Sequence, residues 1–143
     1  MQLMANSTKE VNKIVYLFDN HENIKQYENE LPKFFYYATD INLFDDFSNP
    51  IKRGDLIVVM DIGVMGSDLK AIKNNLLFFL NEGIAVCFAD FFDFRSITEV
   101  KTTEDYIKTF DAVFHASKSI YKLFNALTNI ENRGDTENEI KIY

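Results

Sequence analysis

Short apolar runs alternate along this chain with longer stretches in which apolar residues recur every three or four positions, from Lys13 to about Ile130. The short runs predict buried parallel strands, and the longer stretches predict helices that cover them. The run IVYLF at 14–18 stops at Asp19 and Asn20, whose side chains suit the N-cap of a helix. That helix would bury Ile24, Tyr27 and Leu31 and stop at Pro32. FFYYA at 34–38 predicts a second strand, and 41–47 a short helix ended by Pro50. After the turn signal Lys52-Arg53-Gly54-Asp55 comes LIVVM at 56–60, the clearest strand, followed directly by Asp61. Gly63 and Gly66 mark a loop. Leu69, Ile72, Leu76, Phe79 and Leu80 then form the apolar face of a helix closed by Gly83, and 84–89 is a fourth strand ending at Asp90.

The stretch 91–102 has no clear period, and 104–129 can be read in two ways. Thr103-Glu104-Asp105 can cap a helix burying Tyr106, Ile107 and Phe110, with 112–116 as a fifth strand. Ser117 or Ser119 would then cap a last helix burying Ile120, Leu123, Phe124, Leu127 and Ile130. The same residues also read as one continuous helix, because Ile107, Phe110, Phe114, Ser117, Tyr121 and Phe124 keep a single period.

Composition narrows the class. At 143 residues the chain holds one domain core. Apolar residues make up 47% and charged ones 26%, which argues against disordered, collagen-like and coiled-coil classes. The 14 Phe and 7 Tyr against 5 Gly and 2 Pro imply that most of the chain lies in regular elements with short connections. A net charge of −7 opposes binding to nucleic acid phosphates. One cysteine, Cys87, excludes a disulfide framework and fits a reducing cytoplasm. No run approaches the length of a membrane span, so a soluble protein is expected. Residues 1–12 read as a polar leader, 13–130 as the domain, and 131–143 as an acidic tail.

Ligands of open parallel sheets bind beyond the carboxyl ends of the strands. The residues there are Asp19, Asp40, Asp61 and Asp90, and an order of 2-1-3-4-5 would bring Asp19, Asp61 and Asp90 towards one crevice. Such carboxylates can hold Mg²⁺, and one can accept a phosphoryl group. They can equally be strand-to-helix caps and turn formers. His21 reads as an exposed loop residue, His115 as a core histidine in the fifth strand, and Cys87 as a small buried hydrophobe. The aromatic run Phe88-Ala89-Asp90-Phe91-Phe92-Asp93-Phe94 reads mainly as core, with an exposed partner-binding patch as the alternative.

Four segments carry a family resemblance. KIVYLFDNHENIKQYENEL (13–31), YYATDINLFDDF (36–47), DLIVVMDIGVMGSDL (55–69) and FDAVFHASKSIYKLFNAL (110–127) together resemble a response-regulator receiver domain over roughly 14–130. This resemblance implies an α/β, flavodoxin-like three-layer sandwich with a five-stranded parallel sheet of order 2-1-3-4-5 and helices on both faces. It places Asp19 on the acidic metal-binding turn and Asp61 on the phospho-acceptor. Asp90 falls where the family has a Thr or Ser, Ala116 where it has its Lys, and Ser117 on the following Pro. Val113 replaces the switch aromatic and Met65 the Pro after the acceptor, while Lys118 could replace the Lys only if the loop shifts. A carboxylate at Asp90 would repel an aspartyl phosphate unless a metal intervened, and without the Lys little would drive a switch. The resemblance thus implies a degenerate receiver.

A second resemblance competes. IKRGDLIVVMDIGVMGSDLKAIKNNLLFFLNEGIAVCFAD (51–90) is similar to the middle of a serine-recombinase (resolvase) catalytic domain. That family needs a Ser nucleophile after the first strand and arginines after the third. Here those positions are the turn Phe18-Asp19-Asn20-His21 and the residues Val64 and Ser67. On this resemblance the chain would be an inactive relative belonging to a mobile element, with one long helix over about 104–129.

The expected function is therefore a non-catalytic signalling or regulatory module, a pseudo-receiver acting through protein contacts without a cofactor. Its interaction face would be 103–124, including Tyr106, Phe110, Phe114 and Tyr121, and a homodimer is expected. Mg²⁺-dependent phosphotransfer at Asp61 is the enzymatic alternative.

Overall fold

The computed structural model of the chain describes residues 12–32, 35–41 and 50–142, with side chains through residue 130. Its strands are β1 (Ile14–Leu17), β2 (Tyr36–Ala38), β3 (Leu56–Val59) and β4 (Ala85–Phe88). Its helices are α1 (His21–Tyr27), α2 (Leu69–Asn81), α3 (Arg95–Thr98) and α4 (Thr103–Ile142), with a 3₁₀ turn at Ile62–Met65. Among the described residues the sheet has four parallel strands in the order β2-β1-β3-β4. The α/β class and the 2-1-3-4 order thus agree with the sequence pattern. The expected helix over 41–47 and the leader fall, apart from Ile41 and Asn12, outside the described residues.

Alternation along each strand sends side chains to opposite faces. Val15, Leu17, Ile57, Val59, Val86 and Phe88 pack with Ile72, Leu76 and Phe79 of α2. On the other face Tyr16, Phe18, Val58 and Cys87 pack with Ile24 of α1 and Ile97 of α3. β3 is buried along its whole length, as its unbroken apolar run requires. Asn20 caps α1 by accepting the Asn23 N–H at 3.0 Å. Gly83, at φ +76°, ends α2 with a turn in which the Ile84 N–H reaches back to the Phe79 carbonyl.

The expected fifth strand is absent from this sheet, because residues 112–116 lie inside α4. The physical reason is in the sequence: no Gly or Pro interrupts 103–133, so nothing breaks the helical period on either side of AVFHA. His115, expected in the core of that strand, is instead exposed on the helix. The long helix runs along β4 in the strand direction. Near its start the Tyr106 hydroxyl donates to the Gly54 carbonyl at 2.6 Å, and further on Phe124 meets Phe88 at a centroid distance of 6.0 Å. Its first half, with Phe110, Val113 and Phe114, packs on the Tyr16 face of the sheet. Its second half, with Ile120, Tyr121 and Phe124, packs on the Val15 face. The crossing point is Ser117, fully buried against the outer edge of β4.

At the amino ends of the strands a buried ion pair fixes the start of the sheet. The Asp55 carboxylate, with no solvent exposure, accepts the Lys13 Nζ at 2.9 Å and the Lys13 and Lys52 backbone N–H groups at 3.0 and 2.8 Å. Asn12 donates to it as well, at 3.0 Å.

Candidate functional site

A cleft of about 450 Å³ opens at the carboxyl ends of β1, β2 and β3 and is lined by Asp19, Thr39, Asp40, Ile41, Asp61, Gly63 and Val64. Because β1 leads first to β2 on one side while β3 lies on the other, Asp19 and Asp61 flank the point where the chain changes direction. This is the crevice that parallel-sheet topology provides. Two of the three predicted carboxylates, Asp19 and Asp61, are brought together there, along with Asp40. Asp90 is not part of its lining.

Each of the predicted carboxylates has local work. Asp61 caps the 3₁₀ turn, its Oδ1 accepting the Gly63 N–H at 2.8 Å. Asp90 reaches the same turn from the end of β4, with Oδ2 accepting the Ile62 N–H at 2.8 Å. The first two free N–H groups of that turn are therefore satisfied by two carboxylates from neighbouring strand ends. Asp19 Oδ1 accepts a hydrogen bond from the Asn23 amide. Among the described residues no group of three or more His, Cys, Asp or Glu side chains is placed to hold a metal ion. Asp19, Asp61 and Asp90 are not gathered into one such group.

The other family positions fall as follows. Val64 lines the cleft and Ser67 is exposed, so no guanidinium stands at the two loop positions where a recombinase has arginines, and the turn after β1, Phe18-Asp19-Asn20-His21, holds no serine. Met65 is fully buried. Lys118 projects from α4 with Nζ 4.7 Å from the Phe114 ring centroid, engaged with the helix surface rather than with the crevice. His21 is exposed at the start of α1, its ring edge-on to Tyr37 at 6.1 Å.

Tyr106, Phe110, Phe114 and Tyr121, expected to form an interaction face, are half-buried and pack against the sheet. Among the described residues, the large apolar side chains that α4 exposes are Ile107, Leu123, Leu127 and Ile130. The aromatic run divides: Phe88 and Phe94 are buried, while Phe91 and Phe92 are exposed. Cys87 is buried, and that burial pushes its thiol up to about 11.

Sequence reasoning missed Ser117 as an edge-pairing group, Asp55 as a buried anchor, and Tyr16 as a buried phenol whose hydroxyl has no hydrogen-bond partner among the described residues. For Asp55 a signal existed, since it sits immediately before the most apolar strand. No family model matches the chain, and no curated protein and no solved structure matches it either.

Proposed function

We propose that this chain is a non-catalytic regulatory module that acts through protein contacts and pairs with a second copy of itself along the exposed face of α4. The observation that carries this reading is the long final helix. It docks one side on the sheet and leaves Leu123, Leu127 and Ile130 in solvent, at 55%, 39% and 60% exposure, on the opposite flank. Large apolar side chains at spacings of four and three on a helix are the usual mark of a surface that is covered by another helix. The crevice supports the non-catalytic half of the reading, because Asp61 is engaged as a cap of the 3₁₀ turn and Asp19 accepts from the Asn23 side-chain amide.

Of the two family resemblances, the architecture favours the serine-recombinase one. The receiver arrangement needs a strand at 112–116, where this chain has helix. The recombinase arrangement needs an unbroken helix there, and on that reading the module is an inactive relative.

Sedimentation equilibrium of the full chain tests the proposal. The expected result is a concentration-dependent dimer that Leu123→Glu shifts to monomer without changing the circular dichroism spectrum. A chain that stays monomeric throughout overturns it. For the non-catalytic half, incubation with a small phosphodonor and Mg²⁺ is expected to leave the intact mass unchanged, and an Asp61-dependent phospho-species overturns that half.

A further inference from the structure

We propose that the turn carrying Phe91 and Phe92, together with the carboxylates around it, is a docking surface for a basic segment of a partner protein, one that presents Lys or Arg side chains among apolar ones. This rests on the reading that the module acts through protein contacts and names a partner for it, on the loop between β4 and α3 rather than on α4. The turn is held from both sides. Phe88 before it and Phe94 after it are buried, and the Phe91 and Phe92 N–H groups both donate to the Phe88 carbonyl at 3.0 Å. Asp90 Oδ2, by accepting the Ile62 N–H at 2.8 Å, ties it to the 3₁₀ turn whose Gly63 and Val64 line the crevice. Phe91 and Phe92 are nonetheless 54% and 44% exposed. Two neighbouring rings left in water by an anchored turn form an apolar patch that a partner would gain by covering.

The charge around the patch selects the partner. The connections at the carboxyl ends of the strands, residues 18–20, 39–41, 60–68 and 89–94, hold Asp19, Asp40, Asp61, Asp68, Asp90 and Asp93 and no Lys or Arg. All six carboxylates belong to exposed residues, so this end of the sheet carries a negative field. The cation that follows the turn, Arg95, is already met by Glu30 at 2.6 Å and by Asp93 at 3.2 Å. A purely apolar partner laid on Phe91 and Phe92 would strip water from Asp90 and Asp93 and return no counter-charge. An acidic partner or a nucleic acid would be repelled. A Lys or Arg side chain answers both features, because its stem packs on a ring while its cation is drawn to the ring face and to a carboxylate. The carboxylates alone would attract any cation. The two rings make the surface one for a side chain with an apolar stem.

Fluorescence anisotropy of the full chain tests this with a short labelled peptide of Lys and Leu in helical period, against the same peptide with Glu in place of Lys. At about 0.15 M ionic strength the Lys peptide is expected to bind and the Glu peptide is not. Phe91→Ser/Phe92→Ser is expected to weaken binding about tenfold or more, with an unchanged circular dichroism spectrum because both side chains are in solvent. Asp90→Asn/Asp93→Asn keeps the oxygen acceptors that hold the Ile62 and Arg95 N–H groups and removes two charges. It is expected to weaken binding and flatten its salt dependence. Glu82→Gln, before β4 at the other end of the sheet, is expected to change nothing. Absence of binding to the Lys peptide overturns the surface, and so does a Phe91→Ser/Phe92→Ser chain that binds like the wild type. Equal binding of both peptides overturns the choice of a basic partner. Sedimentation without peptide separates the two readings: a dimer that binds no peptide overturns this surface alone, whereas a monomer that binds it supports this surface and overturns the pairing along α4.

Discussion

Ser117 of α4 holds both outward-facing backbone groups of Val86, its hydroxyl oxygen 3.0 Å from the N–H and 2.7 Å from the carbonyl oxygen. A fifth strand would have supplied the same partners. Elsewhere on that edge the Ile84 N–H is taken by Phe79 of α2, and the Phe88 carbonyl by Phe91 and Phe92. The edge of β4 is thus closed by side chain, helix end and loop, which removes the template an open edge would offer to another strand.

Ser117→Ala would leave the Val86 N–H and C=O buried without partners. A loss of about 1–3 kcal/mol is expected, read as a lower urea midpoint with an unchanged slope. The self-association equilibrium should not move, because Ser117 lies on the docked side of α4. An unchanged midpoint would show that water or a backbone shift replaces the hydroxyl.

Asp55 and Lys13 lead to a second expectation. The carboxylate is fully buried and accepts four N–H donors, and Lys13 Nζ also donates to the Pro50 carbonyl at 2.6 Å. Removing one partner of such a pair strands the other charge, so Asp55→Ala should cost about 3–5 kcal/mol. The exposed Arg95–Glu30 pair, at 2.6 Å, has better apparent geometry but sits in solvent. Arg95→Ala should therefore shift the midpoint far less than Asp55→Ala. Equal shifts in the two variants would contradict the assignment of Asp55 as the anchor of the β1–β3 pair.

The contrast between these sites explains what the sequence could reveal. β1, β3, β4 and α2 were legible because their burial is periodic: four consecutive apolar residues make a covered strand, and Ile72, Leu76 and Phe79 make one helix face. The strand order was legible for the same reason, since three βα units with Asp-capped ends have few parallel arrangements. The 112–116 segment was not, because four apolar residues and a histidine satisfy either element and only the absence of breakers around them decides. The carboxylate trio was half legible. Chain position brings Asp19 and Asp61 to one crevice, but the Asn23 side-chain amide takes an oxygen of Asp19 and the Gly63 N–H one of Asp61, and that competition is set by loop geometry. That Tyr106, Phe110, Phe114 and Tyr121 are half-buried against the sheet was not legible, because helical period identifies a stripe without saying which of two stripes meets the sheet.

Tyr16 gives a prediction of opposite sign. Its ring is buried between β1 and the α1 layer, edge-on to Phe35 at 6.0 Å, yet its hydroxyl has no partner among the described residues. An unsatisfied buried hydroxyl is a net cost. Tyr16→Phe keeps the ring and removes the penalty, so the folded state should gain about 1 kcal/mol. A loss of stability in the urea titration would mean that the hydroxyl is satisfied after all.

Tyr16 and Cys87 also determine how the fold responds to alkali. Burial raises the Cys87 thiol from 9.0 to about 11, and burial followed by the neighbouring Cys87 raises the Tyr16 phenol from 10.0 to about 12. Burial, with the Asp55 charge second, raises Tyr106 as well. Between pH 9 and 11 an unfolded chain has released its thiol proton while the folded chain keeps it, so the folded state binds more protons and stability falls as pH rises. The Cys87 contribution is complete below pH 9 and lost above 11, a change on the order of 3 kcal/mol. Tyr16 continues the same fall towards pH 12. Urea midpoints measured from pH 8 to 11 should decline for the wild type and decline less steeply for Cys87→Ala, whatever that variant's stability at neutral pH. The native thiol should resist a thiol-reactive dye at pH 8 and react on unfolding. Equal slopes in wild type and variant would mean that Cys87 ionises in the folded protein as freely as in the unfolded chain.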